Sequence, residues 1–155
     1  ACRRSGVHTA LETALHAPFD DVARLVPWVQ HLFVDIKHTD SAAHQALTGL
    51  SNDRILGNLA RLSEAGFQGN LVLRIHLIPG LNDDEANLTA TARLAATLPQ
   101  CTLVELLPSH RLGLDTYRRL GLSYPLAHIT PPTPQHMAAC AAQMMAAAPI
   151  SVATR

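Results

Sequence analysis

No stretch of this sequence is apolar for long enough to cross a bilayer, which excludes a helical membrane span. Runs of lysine and arginine are missing too. The 12 basic residues are matched by 12 acidic ones, leaving a formal net charge of zero with the histidines neutral. Without a basic patch, nucleic acid is not an expected partner. Cysteine is scarce: Cys2, Cys101 and Cys140 stand far apart, form no CxxC pair and match no zinc spacing. Three reduced thiols in a cytoplasmic protein are expected. No apolar segment of signal-peptide type follows the first residues, Ala1 to Gly6. They read as the end of a helix stopped by Gly6, and a chain that opens on a helix end is expected to be a piece of something longer. The nine histidines supply no i, i+4 helical pair with a third ligand nearby, so a histidine-only metal site is not expected.

What is present is a core. A chain of 155 residues, 48% of them hydrophobic, suffices for one domain and excludes disorder. The stretch Leu32-Phe33-Val34-Asp35-Ile36-Lys37 organises the rest. It reads as an apolar strand ending in a carboxylate and an ammonium two residues apart. Side chains 33, 35 and 37 share one face, with Val34 and Ile36 on the other. An acid and a base on one face of a strand end suit a small polar ligand better than a core. A structural ion pair is the alternative.

Elements follow from the punctuation. Val7 to Glu12 reads as a short strand closed by Thr13. Asp20 and Asp21 start a helix that Pro27 ends. The central strand runs from 31 to 37. A short helix spans Ser41 to Leu47 and breaks at Thr48-Gly49. Ser51 is expected to cap a longer helix with Ile55, Leu59 and Leu62 on one face, ended by Gly66. Asn70 to Ile78 is a strand stopped by Pro79-Gly80. Asn82 and Glu85 read as a capping box for a helix to about Leu98, with Asp83, Asp84 and Glu85 in its first turn. Cys101 to Leu107 is a strand ended by Pro108. Leu112 to Leu120 is a loop and short helix. Thr133 caps a last helix with Pro134 at its first position and Met137, Cys140, Ala141 and Met144 on its packing face. Ile150 to Ala153 is a final short strand.

Strand and helix thus alternate five times, the pattern of right-handed βαβ units in an α/β fold with a parallel sheet. The strands are apolar enough to expect cover on both faces. Such folds bind ligands at the C-terminal strand ends. Glu12, Thr13, Asp35, Lys37, Arg74, His76, Glu105, Ser109 and His110 all fall near those ends. Charges gathered there are costly unless paired or liganded. A zwitterion would match them: Lys37 and Arg74 for its carboxylate, Asp35 for its amine or, with Glu12, for a cation. A ring of salt bridges closing a barrel end is the bland alternative.

Five segments in order make a resemblance. Gly6-Val7-His8-Thr9-Ala10-Leu11-Glu12-Thr13, Leu32-Phe33-Val34-Asp35-Ile36-Lys37-His38, Leu47-Thr48-Gly49-Leu50-Ser51-Asn52, Leu77-Ile78-Pro79-Gly80-Leu81-Asn82-Asp83 and Glu105-Leu106-Leu107-Pro108-Ser109-His110-Arg111-Leu112-Gly113 resemble the activating enzymes of glycyl radical enzymes. Pyruvate formate-lyase activating enzyme is the best-known member, and the likeness runs from about residue 3 to the end. These are radical S-adenosylmethionine (SAM) enzymes. The resemblance implies reductive cleavage of SAM at a [4Fe-4S] cluster, giving a 5′-deoxyadenosyl radical that takes hydrogen from a glycine of a partner enzyme. It implies that Asp35 and Lys37 contact the methionine moiety of SAM, that Arg74 and His110 complete the pocket, and that Glu12, Thr13 and Asp35 form a monovalent cation site. It also implies a glycyl radical enzyme as partner, pyruvate formate-lyase-like or related, and flavodoxin or ferredoxin as electron donor.

The fold it implies is a partial, open parallel β/α barrel of radical SAM type. Its N-terminal strands are then expected to be missing here, with residues 1–155 expected to form the C-terminal part of the domain. The CxxxCxxC cluster loop and the GGE-type SAM motif are absent from the sequence and would belong upstream. His76 stands where relatives often carry proline or another non-ionisable residue. Asp115-Thr116 replaces a frequent Ser-Lys pair before Tyr117. Ala14-Leu15-His16-Ala17-Pro18 looks closer to activases outside the pyruvate formate-lyase branch. Two other readings stay open: a Schiff-base lyase or aldolase using Lys37, and a non-catalytic half-barrel that binds a partner.

Overall fold

The computed structural model describes residues 2–155. Its centre is one five-stranded sheet in the order β1-β2-β3-β4-β5, every neighbouring pair parallel. The strands are β1 (Ala10–Thr13), β2 (His31–Asp35), β3 (Asn70–Leu77), β4 (Cys101–Pro108) and β5 (Val152–Thr154). The helices are α1 (Phe19–Leu25), α2 (Ser41–Thr48), α3 (Asp53–Ala60), α4 (Glu85–Thr97), α5 (Leu114–Arg119) and α6 (Pro134–Ala147). Sequential order with parallel pairing is what repeated right-handed crossovers produce, and it sets the helices on one side. The sheet is the expected partial barrel, and among the described residues no helix is long and apolar enough to cross a membrane.

Several expected boundaries move. β1 begins at Ala10 rather than Val7 and takes in Thr13. β2 closes at Asp35, although the Ile36 N–H still donates to Arg74 O at 2.8 Å. Lys37 therefore lies just past the strand. Ser51 is not the cap of α3: Asn52 occupies that place without a capping side-chain bond. That helix stops at Ala60, and turns carry the chain on to Gly66, which sits at φ 75°. Thr133 caps α6 as expected, accepting from His136 N–H, with Pro134 opening the helix. Met137, Cys140, Ala141 and Met144 form its buried face.

The expectation of apolar cover on both sheet faces does not hold. One face carries Leu32, Val34, Leu71, Leu73, Ile75, Leu77, Val104 and Leu106, all fully buried in the core. Each such side chain contributes roughly 1.5–3 kcal/mol by leaving water. The other face carries Glu12, Phe33, Asp35, Arg74, His76 and Glu105. The two sets interleave along the same strands, as period-2 alternation requires.

Four buried asparagines tie the loops at the C-terminal strand ends. Asn58 Nδ2 donates to Leu15 O (2.8 Å) and Ala17 O (2.9 Å), holding the turn in which Leu15 takes φ 53°. Asn52 Nδ2 reaches His38 O and Thr39 O. Asn82 is not half of a capping box. Its Oδ1 accepts from Ile78 N–H (2.8 Å), and its Nδ2 donates to Lys37 O (3.2 Å) and His76 O (3.0 Å). Asp84 caps α4 instead, accepting from Asn87 N–H. Replacing Asn82 with alanine leaves a buried donor and two carbonyls unpaired between β2 and β3. Asn82→Ala is expected to lower unfolding stability by roughly 2–4 kcal/mol, measured by denaturant titration. A loss below about 1 kcal/mol would mean that water replaces the amide there.

Candidate functional site

Parallel register lays the polar face out in rows. Asp35 on β2 is level with Arg74 on β3, which is level with Glu105 on β4. Glu12 on β1 is level with Phe33. The Arg74 guanidinium sits 3.8 Å above the Phe33 ring, a favourable cation–π contact. Arg74 Nε donates to Glu105 Oε2 at 2.7 Å, and Nη1 donates to Glu12 Oε2 at 2.9 Å. Glu105 is 1% exposed, and its second oxygen accepts from Arg155 Nη2 at 2.6 Å. Both oxygens of the buried carboxylate are thereby satisfied.

Lys37 leans back over the end of β2. Its Nζ lies 3.2 Å from Asp35 Oδ2 and 3.4 Å from His76 Nδ1. His76 Nδ1 is in turn 3.7 Å from Asp35 Oδ1. Burial pushes the His76 pKa below its ordinary value of 6.5. The Lys37 ammonium and His110 push it the same way, and Asp35 and Glu12 oppose them only in part. A neutral His76 accepts from Lys37 through its Nδ1 lone pair.

Asp35 Oδ1 is buried and makes no hydrogen bond. A buried, unpaired carboxylate oxygen is costly in a finished structure. Three carboxylates (Glu12, Asp35 and Glu105) face three cations (Lys37, Arg74 and Arg155), so the floor is neutral yet offers both signs. That is the chemistry of a zwitterion site.

Of the residues picked from the sequence, Glu12, Asp35, Lys37 and Arg74 come together here. His110 stands on the exposed loop past β4, where its Nδ1 accepts from Leu112 N–H at 3.4 Å, and its charge still reaches His76. Thr13 is level with Val34, on the helix-covered side, and its Oγ1 accepts from Leu15 N–H at 3.0 Å. Among the described residues, no group of three or more His, Cys, Asp or Glu side chains is placed to hold a metal ion. Phe33 and Arg155 were not singled out from the sequence, and Glu105 was placed on the rim without a role. The period-2 spacing of Phe33 and Asp35 marked Phe33, whereas nothing local marked Arg155. A cleft of about 210 Å³ opens beside Lys37, lined by Leu47, Thr48, Ile78, Leu81, Asn82 and Leu126.

No protein-family model matches the chain. The isethionate sulfite-lyase activating enzyme of Nitratidesulfovibrio vulgaris is 43% identical over 129 residues, covering 83% of this chain and 41% of that protein. The (2S)-3-sulfopropanediol dehydratase activating enzyme of Klebsiella oxytoca is 37% identical over 131 residues, covering 83% and 41%. Among solved structures, a domain of pyruvate-formate lyase-activating enzyme from Bacteroides vulgatus matches with a TM-score of 0.74 at 28% identity, over 99% of this chain and 84% of that one. A radical SAM methyltransferase from Sphaerobacter thermophilus matches over 97% of this chain and 42% of that one, with a TM-score of 0.70. At 21% identity it shows the fold alone. The chain spans about two-fifths of the length of the curated relatives it matches.

The lowered His76 pKa has a sign that can be checked. Below pH 6.5 the unfolded chain binds a proton at this residue that the folded chain resists. Stability is therefore full above 6.5 and is lost as pH falls through the folded-state pKa. His76→Gln keeps a polar side chain and removes the titration. Melting temperatures of both proteins from pH 8 to pH 5 should show the wild type losing ground to the variant on the acid side. Parallel curves would show that His76 titrates alike in the folded and unfolded states.

Proposed function

We propose that this chain, a homologue of part of the glycyl-radical enzyme activating enzymes, is the C-terminal portion of a radical SAM activase and forms the methionine-binding half of its SAM site. The observation that carries this reading is the neutral floor of three acids and three bases with one buried acceptor, Asp35 Oδ1, left open. Lys37 and Arg74 would take the SAM carboxylate. Asp35 Oδ1 would take the amine or, with Glu12 and Thr13, a monovalent cation beside it. The cation needs Glu12 turned from Arg74 and Thr13 turned from Leu15, since both are engaged. His110 would close the pocket from the loop after β4.

Bound at a [4Fe-4S] cluster and reduced, SAM would supply the hydrogen-abstracting radical for a glycine of the partner enzyme. The chain's own part is to bind, orient and neutralise. Its cysteines do not fit the cluster. Cys2 is exposed, Cys101 opens β4 at the end away from the floor, and Cys140 is buried on α6. Burial raises the thiol pKa of both Cys101 and Cys140, the reverse of what a thiolate ligand needs. On this reading the cluster loop, with the remaining strands, would lie in an upstream segment. A glycyl radical enzyme as partner, flavodoxin or ferredoxin as donor, and the cytoplasm as location complete the proposal. The Schiff-base alternative is less favoured, because Lys37 is engaged by both Asp35 and His76. A half-barrel binding module would be left if no upstream three-cysteine loop exists.

Two measurements test the proposal. In the complete enzyme, anaerobic reduction with SAM should release 5′-deoxyadenosine, and Lys37→Ala should weaken SAM binding by roughly 1.5–3 kcal/mol with little change in folding. Unchanged SAM affinity in the variant would remove Lys37 from the site. The 155-residue chain alone, reconstituted with iron and sulfide, should show no cluster absorption and form no 5′-deoxyadenosine. A stoichiometric cluster in this chain would overturn the assignment of its ligands to an upstream segment.

A further inference from the structure

We infer that Glu105 and Arg155 are positioning residues that fix the Arg74 guanidinium in its ligand-binding orientation. The inference rests on reading the strand-end floor as a SAM site, and it concerns two residues outside the set assigned to SAM contact above.

Arg74 has two carboxylate partners of different kinds. Glu12 is 56% exposed, so solvent or a ligand can replace it. Glu105 is 1% exposed and has no such freedom. Its Oε2 holds Arg74 Nε at 2.7 Å, and its Oε1 is held by Arg155 Nη2 at 2.6 Å. Arg155 is itself anchored just beyond β5, where its backbone N–H donates to Leu106 O at 3.1 Å. With Nε taken by Glu105 and one face resting on Phe33, Arg74 cannot swing. What remains for a ligand is the edge formed by Nη1 and Nη2, where the Glu12 carboxylate now sits on Nη1. That edge can take a carboxylate in two parallel bonds. The ordering of a long, flexible side chain is complete before the ligand arrives, which is how preorganisation raises affinity.

A purely structural ion pair is a weaker explanation. Buried pairs often add little net stability compared with apolar replacements, and this sheet has apolar residues to spare on its other face.

The test is calorimetric titration of the complete, cluster-loaded enzyme with SAM under anaerobic conditions. Glu105→Gln and Arg155→Ala should each weaken SAM binding about tenfold. Arg155→Lys should recover part of that loss. In an Arg74→Ala background neither substitution should weaken binding further, because both act through Arg74. Unchanged affinity in the single variants overturns the inference, and so does an equal loss with and without Arg74. If Glu105→Gln fails to fold, the Arg155 variants decide alone, since that side chain is 67% exposed. Absence of SAM binding by the wild type would take down the reading of the site and this inference with it, whereas binding without coupling would take down the inference only.

Discussion

A carboxylate with 1% exposure cannot stand alone in a sheet, and the polar face of this one is arranged around that fact. Glu105 must be matched on both oxygens or give up its charge. Parallel register puts Arg74 level with it on β3 and Ala153 level with it on β5, two residues before Arg155. The chain just past β5 then brings the Arg155 guanidinium to the carboxylate. From Glu105 the pairing runs outward through Arg74 to Glu12, while the neighbouring row runs from Asp35 to Lys37 and His76. Exposure rises along the first path, from Glu105 to Arg74 to Glu12. The rigid end of the network is therefore buried and the exchangeable end faces the opening.

Such a face is unusual for parallel strands, which are commonly apolar on both sides. Here the segments look continuously apolar in sequence because the core residues are large and the polar ones few. In NLVLRIHL of β3, only Arg74 and His76 break the run after Asn70, and in sequence they look like strand-end features. They are instead members of a second face along which Phe33, Val72, Arg74 and Glu105 lie side by side. The alternation was present at 33, 35 and 37. It was harder to see in β3 and β4, where Val72 and Leu103 share the polar face.

The parallel sheet and four of the residues on the floor were legible because they depend on periodicity and on the punctuation of proline and glycine. The caps were less legible. Asn82 precedes an acidic turn and satisfies the spacing of a capping box, but a buried amide is worth more bridging Ile78, His76 and Lys37 than at a helix end that Asp84 can serve. Ser51 lost its place to Asn52 for a related reason, since the Asn52 amide ties down the His38 and Thr39 carbonyls. In both cases a buried amide sits where a local cap is expected but bonds to partners distant in sequence. Thr13 shows the complementary limit. It follows Glu12 directly, and in a strand consecutive side chains point to opposite faces, so adjacency in sequence separates the two residues in space.

The same alternation bears on what the floor can hold. A cation at Asp35 Oδ1 would draw on Glu12 from the same face, but Thr13 could contribute only through a rearranged turn at Leu15, where its hydroxyl now accepts a backbone N–H. Leu15 already sits at φ 53°, a conformation that costs a residue with a Cβ of order 1 kcal/mol or more. That turn is strained at Leu15 and pinned by Asn58, which holds the Leu15 and Ala17 carbonyls, so rearranging it means breaking buried hydrogen bonds. On the proposed reading, the ammonium of a zwitterion would need no such movement at Leu15, because Asp35 Oδ1 is open and Lys37 and Arg74 would receive the carboxylate. Electrostatics alone would let either positive species sit beside Asp35. On the proposed reading, the backbone around Leu15 is what would tell them apart, and in this arrangement it would favour the amine.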